Sequence, residues 1–401
     1  MKIVYFYQLF STPKGAWGTR VYEFTRQWVE QGHEVTVVSS IYSKSDLKAT
    51  KLIEDQYFDG IHVKVLNVLL DNKQSFYKRI WSFLKYSLLS SYYALTLKAD
   101  IVIASSGPLT VGIPGLIARY IRGRKLVFEV RDLWPSGAIE FGFIKNPLLK
   151  KMCYWFEKQC YSAASYIVTL SPGMTQDIIK RVGVNVNKID DVTNAANIQL
   201  FSTPAPFPNS VVEPYQYAIH TGNIGMVNNA YWLYNAAKAL KDMGRSDIVI
   251  LMIGEGQQRE ELEEKAKTEG VTNFICLGLM PKKDLIGYLQ KSLVSISSTR
   301  ESLVLDTCSP NKFYESLAAG VPIIQNTRGW IKEFMVEHEV GFTLDPNDPK
   351  ELAETLIWMK DNPGQVQHMG TNALNVATRF FDKDYLADKM LKILEEVHAS
   401  K

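Results

Sequence analysis

Cysteine is scarce: Cys153, Cys160, Cys276 and Cys308 are scattered through 401 residues, with no CxxC pair and no histidine cluster beside them. That excludes a disulfide framework and a zinc module and predicts reduced, buried thiols. Long apolar runs are missing too. No uninterrupted stretch reaches the length that crosses a bilayer, so no span is expected. The apolar start, residues 2–10, breaks into Ser11, Thr12, Pro13, Lys14 and Gly15 without a small-residue cleavage site, and predicts a buried first strand rather than a signal peptide. The net charge of +3 is small for this length and argues against a nucleic-acid binder. No GxGxxG follows the first strand, which disfavours a nicotinamide dehydrogenase. Asp382-Lys383-Asp384 matches a metal-binding Asp-x-Asp in letters only, because it heads the C-terminal helix, where Asp is a normal capping residue. No metal or other cofactor is expected.

The chain does hold enough apolar residues, 46% against 22% charged, to bury two cores. Strands alternate with helices. Residues 3–7 read as a strand, 20–31 as a helix and 35–39 as a second strand, which is a βαβ unit. Further strands are predicted at 62–66, 100–104, Lys125–Val130 and 166–170. A segment at 196–216 with Pro204, Pro206, Pro208 and Pro214 reads as a linker. Beyond it the rhythm restarts, with strands at 217–220, 248–253, 273–277, 293–297 and 321–324. The expected organisation is an N-terminal lobe (1–196), a linker (197–216), a second lobe (217–375) and a C-terminal helix (376–401) packing back on the first lobe. The fold class is α/β: two doubly wound Rossmann-like lobes with an interlobe cleft, ligands lying beyond the carboxyl ends of the strands.

Motifs in both halves carry a resemblance. Gly15-Ala16-Trp17-Gly18, then a helix, then Gln31-Gly32-His33-Glu34-Val35-Thr36-Val37-Val38 open the first half. Val130-Arg131-Asp132-Leu133-Trp134-Pro135, Leu170-Ser171-Pro172-Gly173-Met174 and Asn194-Ala195-Ala196-Asn197 follow. The second half has Thr221-Gly222-Asn223-Ile224-Gly225, Ile253-Gly254-Glu255-Gly256, Leu277-Gly278 and the run from Ser309 through Asn311, Lys312 and Glu315 to Pro322. Each motif is weak alone; in this order and spacing they resemble the family-4 retaining glycosyltransferases of the GT-B fold. Val130–Pro135 looks like the subgroup that builds bacterial surface polysaccharides, of the capsule, O-antigen and colanic-acid type.

The residues themselves give the chemistry a shape. Ser309 before Pro310 suits an N-cap followed by proline in the first turn, which would leave the N–H groups of Asn311 and Lys312 free to hold a diphosphate beside the Lys312 ammonium. The resemblance implies that Glu315 accepts the ribose hydroxyls; the plainer alternative is a solvated Lys312–Glu315 helix pair. Gly222, Asn223 and Ile224 follow the first strand of the second half, where glycine lets backbone approach a phosphate, and Gly254 is expected on the same side. The role of Glu255 stays open. Leu279 lies in a segment that in relatives runs beside the nucleobase. In the first half, Gly15 and Gly18 form a loop expected to face the donor, with Arg20 near the leaving diphosphate or merely solvated. Arg131 and Asp132 follow a strand and form a catalytic pair that binds a sugar substituent or the acceptor hydroxyl, or else a structural ion pair.

The sequence departs from the family where relatives place an Arg and a Lys after the glycine turn: here Asn223 and Asn228 stand, and Thr307 replaces a first glutamate. Lys312, Arg300, Arg20 and a helix N-terminus are left to stabilise the departing diphosphate. Helical segments at 76–93 and 144–161 are rich in aromatic and basic residues. They either pack on the sheet or rest on an anionic leaflet. The resemblance implies a cytoplasmic enzyme, at most peripheral on the inner face of the membrane. Its donor would be a nucleotide-sugar, UDP-linked by preference, and its acceptor a glycan or a polyprenyl-diphosphate-linked sugar. The alternatives are a non-catalytic GT-B paralogue and a sugar-nucleotide epimerase.

Overall fold

The computed structural model describes residues 1–15, 17–71, 74–208 and 212–400, the Phe76 side chain apart. Ala16 of the glycine loop and 209–211 of the expected linker lie outside the described residues. The chain forms two compact units, Met1–Thr193 with Lys383–Lys401, and Asn194–Asp382.

The first unit is built on strands β1 (Lys2–Phe6), β2 (Glu34–Tyr42), β3 (Ile53–Phe58), β4 (Ile61–Leu70), β5 (Ile101–Ser106), β6 (Lys125–Val130), β7 (Tyr166–Thr169) and β8 (Ile189–Asp191), in the order β3-β4-β2-β1-β5-β6-β7-β8. All pairings are parallel except the β3–β4 hairpin. That hairpin turns on Asp59 and Gly60, both at positive φ (48° and 81°), as an Asp-Gly two-residue turn requires. β1 has β2 on one side and β5 on the other, so connections leave it in opposite directions and the crevice of a doubly wound sheet opens there.

Inside this sheet lies a charge the apolar pattern does not announce. Glu129 of β6 is wholly buried. Its carboxylate accepts from Tyr5 Oη at 2.6 Å, Ser105 Oγ at 2.6 Å and Arg20 Nε at 3.2 Å, and Arg131 Nη1 lies 3.8 Å away. Burial alone would raise its pKa. The two guanidiniums and the two hydroxyl donors outweigh that and hold it below the usual carboxylate range. Arg20 is correspondingly spent, for it also donates to the carbonyls of Val192 and Thr193 and is buried. The expectation that Arg20 meets a leaving diphosphate, or is merely solvated, is therefore corrected: it neutralises Glu129.

The second unit carries β9 (Tyr217–Thr221), β10 (Val249–Ile253), β11 (Phe274–Cys276), β12 (Val294–Ser297), β13 (Ile323–Gln325) and β14 (Gly341–Thr343), all parallel, ordered β11-β10-β9-β12-β13-β14. Apolar clusters cover both faces, one around Leu233, Leu240 and Leu352, the other around Phe313, Leu317 and Phe381. Here the reversal of strand order falls between β9 and β12.

The linker expectation is overturned. Asn197 caps a helix, Ile198–Ser202, accepting from Leu200 N at 3.0 Å, and Phe201 and Val212 are buried in the second core with Phe207 packed against it. The four prolines forbid regular structure there, but the apolar residues between them still find a core to enter. Residues 194–196, expected in the first lobe, also belong to the second unit: Ala196 N donates to Phe381 O at 2.9 Å. The last helix, Lys383–Ala399, belongs to the first unit. Trp28 Nε1 donates to Ala387 O at 3.0 Å and Lys125 Nζ to Val397 O at 2.9 Å. The helix before it, Pro363–Phe380, stays in the second unit, so the boundary lies after Asp382 rather than at 375.

Arg20→Met should lower the stability of the first unit by about 3 kcal/mol, since removing one member of a buried charge cluster leaves the others unbalanced. A urea melt followed by tryptophan fluorescence checks this.

Candidate functional site

In the second unit the loops after β9, β10 and β12 are locked together by backbone. Gly222 N donates to Ile253 O at 2.9 Å, Ile224 N to Glu255 O at 3.0 Å, and Gln258 N to Ile224 O at 3.1 Å. The approach is too close for side chains. A Cβ on Gly254 would stand 1.7 Å from Gly222 O, and one on Gly256 would stand 2.1 Å from Ile224 O. Gly222 and Gly254 also sit at φ 119° and 154°, so conformation requires glycine at both places and space requires it at Gly254 as well. The β9 loop is tied on its other side to the end of β12: Ser298 Oγ donates to Asn228 O at 2.6 Å, and Arg300 N to Val227 O at 2.9 Å.

Next to this turn begins the helix Asn311–Ala318. The expected cap is corrected here. Pro310, in the extended region, is the N-cap residue, and no side chain caps the first turn. Ser309 Oγ lies 2.6 Å from Tyr314 Oη instead, and Asn194 clamps the Ser309 backbone, its Nδ2 donating to Ser309 O at 2.6 Å. Asn311 is exposed. The uncapped first turn presents amide hydrogens and the positive end of the helix dipole.

Lys312 reaches back over the β9 turn. Its Cε and Nζ both lie 3.8 Å from the point where a side chain on Gly222 would begin, and Nζ is 3.4 Å from Nε2 of His220. Loss of water around it lowers its pKa to about 8, against a raising influence from Cys308 and Glu315. A cation so placed is short of counter-charge. Glu315, one turn on, does not pair with Lys312 as the plainer alternative had it. Its Oε1 is 2.8 Å from Nζ of Lys282, at the start of the helix Lys282–Gln290. Leu279 lies a few residues before that helix and is 68% exposed.

The other expectations fare differently. Asn223 is exposed, and its carbonyl accepts from Asn228 Nδ2 at 2.5 Å, so the two residues standing where relatives have cations brace the turn. Ile224 is corrected as a ligand residue: it is fully buried, and both its amide and its carbonyl are spent on the β10 loop. Glu255 pairs with Arg259. Thr307 Oγ1 donates to Val304 O at 2.7 Å within its own turn.

In the first unit, Gly15 turns tightly, donating to Thr12 O at 3.0 Å, with Ser11 Oγ only 2.1 Å from where its Cβ would be. Gly18 lies in the same loop, before the helix Arg20–Glu30. Arg131 stacks over Tyr7, 4.8 Å from the ring centre, and its Nη1 is buried without a hydrogen-bond partner. Its ion-pair neighbour is Glu129, and Asp132 beside it adds a weaker electrostatic attraction. Thus Gly222, Gly254, Asn223, Ser309, Asn311, Lys312 and Glu315 gather at one edge of the second sheet. Gly15, Gly18, Arg131 and Asp132 belong to one edge of the first. Among the described residues no three His, Cys, Asp or Glu side chains converge as metal ligands, and no helix is long and apolar enough to cross a membrane.

Two residues escaped the sequence reading. His220 and Glu129 each follow three consecutive apolar residues within a strand, and that interruption was the available signal.

Comparison with known proteins agrees with this division. Residues 15–195 match the "glycosyl transferase 4-like domain" family model, and residues 203–376 match "glycosyl transferases group 1". A probable glycosyltransferase, WbjE, of Pseudomonas aeruginosa is 22% identical over 274 residues, 65% of this chain and 66% of that protein, so the chain spans about two thirds of this relative's length. Sucrose-phosphate synthase of Thermosynechococcus elongatus has the same fold, with a TM-score of 0.72 at 13% identity over 100% of both chains. So has Anabaena HepE, crystallised with UDP and glucose, with a TM-score of 0.69 at 15% identity over 99% of this chain and 100% of that one.

Gly254→Ala should force the β9 and β10 loops apart. The amide of Ile224 should then lose its protection from hydrogen exchange while amides in the core of β9 keep theirs.

Proposed function

The chain is a glycosyltransferase of the GT-B type, and from that premise we propose that it transfers a sugar from a nucleoside-diphosphate donor, with UDP preferred, to a lipid-linked glycan in surface-polysaccharide synthesis. Retention of anomeric configuration belongs to the same reading. The observation that carries it is the uncapped helix start at Asn311 lying with Lys312 against the glycine turn after β9, at the strand-order reversal of the second sheet. Amide hydrogens, a helix dipole and one partly desolvated ammonium converge there, which suits a diphosphate.

The remaining donor contacts follow from what stands nearby. Glu315 accepts the ribose hydroxyls, exchanging its surface pair with Lys282 for them. Leu279, exposed, offers an apolar face to the base. In the reaction the bond from the anomeric carbon to the diphosphate breaks and the bond to the acceptor oxygen forms on the same face. The acceptor proton passes to the departing phosphate oxygen. Lys312 and the helix start stabilise the charge that grows on the diphosphate, where each good charge-assisted contact contributes about 1.5–3 kcal/mol. Arg131, with an unpartnered buried N–H, and Asp132 act on a sugar substituent or on the acceptor hydroxyl.

A lipid-linked acceptor is supported by one face of the first unit. On the helix Phe76–Thr96, Tyr77, Trp81, Leu84, Leu88, Tyr92 and Leu95 recur at three- and four-residue spacing, and all are exposed. The opposite side, through Phe83, Tyr86 and Tyr93, is buried. Residues 74–123 carry Lys78, Arg79, Lys85, Lys98, Arg119 and Arg122 against Asp100 alone. The helix Pro147–Ala163 adds exposed Leu148, Met152 and Trp155 with Lys150 and Lys151. Aromatic and basic residues so mixed suit the headgroup region of an anionic leaflet.

Two measurements test these readings. UDP or a UDP-sugar should raise the melting temperature of the wild type, and Glu315→Ala should weaken that donor at least tenfold with the fold intact; turnover unchanged in this variant refutes the ribose assignment. In liposome sedimentation the wild type should bind vesicles containing anionic lipid, and removing the charges of Lys78, Arg79, Lys150 and Lys151 together should release it, each contributing about 1 kcal/mol. Negligible binding by both proteins rules the membrane face out.

A further inference from the structure

We infer that His220 is a positioning residue for the donor diphosphate: it holds the Lys312 ammonium over the glycine turn after β9 by accepting a hydrogen bond from it. The inference rests on the reading that a nucleoside diphosphate binds at that turn.

His220 is on β9, the strand that borders the reversal in strand order, and it is 0% exposed. Its Nδ1 lies 3.2 Å from the carbonyl of Ile296 on the neighbouring β12, with Ser298 Oγ at 3.4 Å. A carbonyl oxygen can only accept, so Nδ1 carries the ring proton and Nε2 keeps its lone pair. That lone pair faces Lys312 Nζ at 3.4 Å. An ammonium has three donors and no acceptor, so it can give one proton to Nε2 and keep two for an anion. Complete burial, and then the charge of Lys312, push the imidazole pKa well below its usual range, outweighing the backbone of Asn223 and of Ile296, which pull it up, so the ring is neutral when the lysine needs an acceptor.

The charged surroundings of Lys312 are few. Cys308 lies in the preceding turn and Glu315 on its own helix, itself paired with Lys282. An acidic residue in place of His220 would hold the ammonium more firmly and would cancel its charge toward a phosphate. A neutral imidazole aims the cation without neutralising it. That matters here, because Asn223 and Asn228, which brace the turn, carry no charge of their own.

The test is a pH profile of UDP-sugar binding by calorimetry, chosen because the diphosphate diester does not titrate in this range. In the free protein Lys312 deprotonates near pH 8, and a bound anion raises that value. Wild-type affinity should therefore fall by about tenfold from about pH 7 to about pH 9. Lys312→Met should be weak and flat across that range. In His220→Phe the lysine loses its acceptor: affinity at neutral pH should fall about tenfold and the descent should begin at lower pH. In His220→Gln, whose amide oxygen can accept in the same place, the midpoint should return toward the wild-type value.

A purely structural role for His220 would lower the melting temperature of both variants and leave the midpoint where it was, and that result overturns the inference. The lysine can also be followed without nucleotide, through the pH dependence of amine acylation at Lys312 read by mass spectrometry, in His220→Gln if the phenylalanine variant does not fold. An acylation midpoint that ignores the residue at 220 refutes the inference too. Absence of any nucleotide-sugar binding by the wild type would instead refute the donor-site reading.

Discussion

Backbone contact between the turns after β9 and β10 is the constraint from which the proposed donor site follows. Three amide-to-carbonyl bonds join these turns, and they form only because Gly254 and Gly256 bring no side chain between them. Their effect is to hold the Gly222 turn rigidly at the carboxyl edge of the sheet, against the start of the helix Asn311–Ala318. Ile224, buried between the two turns, is the anchor beside which Gly222 and Asn223 stay exposed. A loop held this way offers its amide groups without reorganising, and preorganised dipoles stabilise developing charge at least cost.

Two charges, those of Glu129 and Lys312, are handled in opposite ways. Around Glu129 the first unit gathers two arginines and two hydroxyl donors, and satisfies the carboxylate so fully that Arg20 has nothing left to offer a ligand. Around Lys312 the second unit supplies almost nothing. The ammonium is left under-compensated, with a pKa near 8, beside a neutral imidazole. A satisfied charge stabilises a fold, whereas an unsatisfied one has free energy to gain from a counter-ion.

Much of the architecture was legible in the order of the residues. The β-branched runs, the glycine turns after them and the helical periodicity between them mark out most of the parallel strands of both sheets, but not the three-residue β8 and β14. The edge strand β3 was not recognised, although Asp59-Gly60 is a hairpin signal, because its alternation is only half apolar. The segment around the four prolines was misread because proline density reports the absence of regular structure and says nothing of burial. At the site, the glycines and Lys312 could be found from spacing. Arg20 could not, because its partner Glu129 lies 109 positions away and the pairing exists only once β1, β5 and β6 are side by side. Ser309 was misassigned for a local reason: Tyr314, five residues on, competes for its hydroxyl.

The second unit enters and leaves the chain at nearly one point. Ala196 and Asp382 form a parallel bridge, and the stretch after Asp382 returns to complete the first unit. The unit is thus an insertion with adjoining ends, and the first unit is discontinuous in sequence. Removing the last nineteen residues would strip a helix from the half of the protein made earliest, leaving the nearer half untouched. During synthesis, the first sheet must wait with an uncovered flank until the whole insertion has emerged.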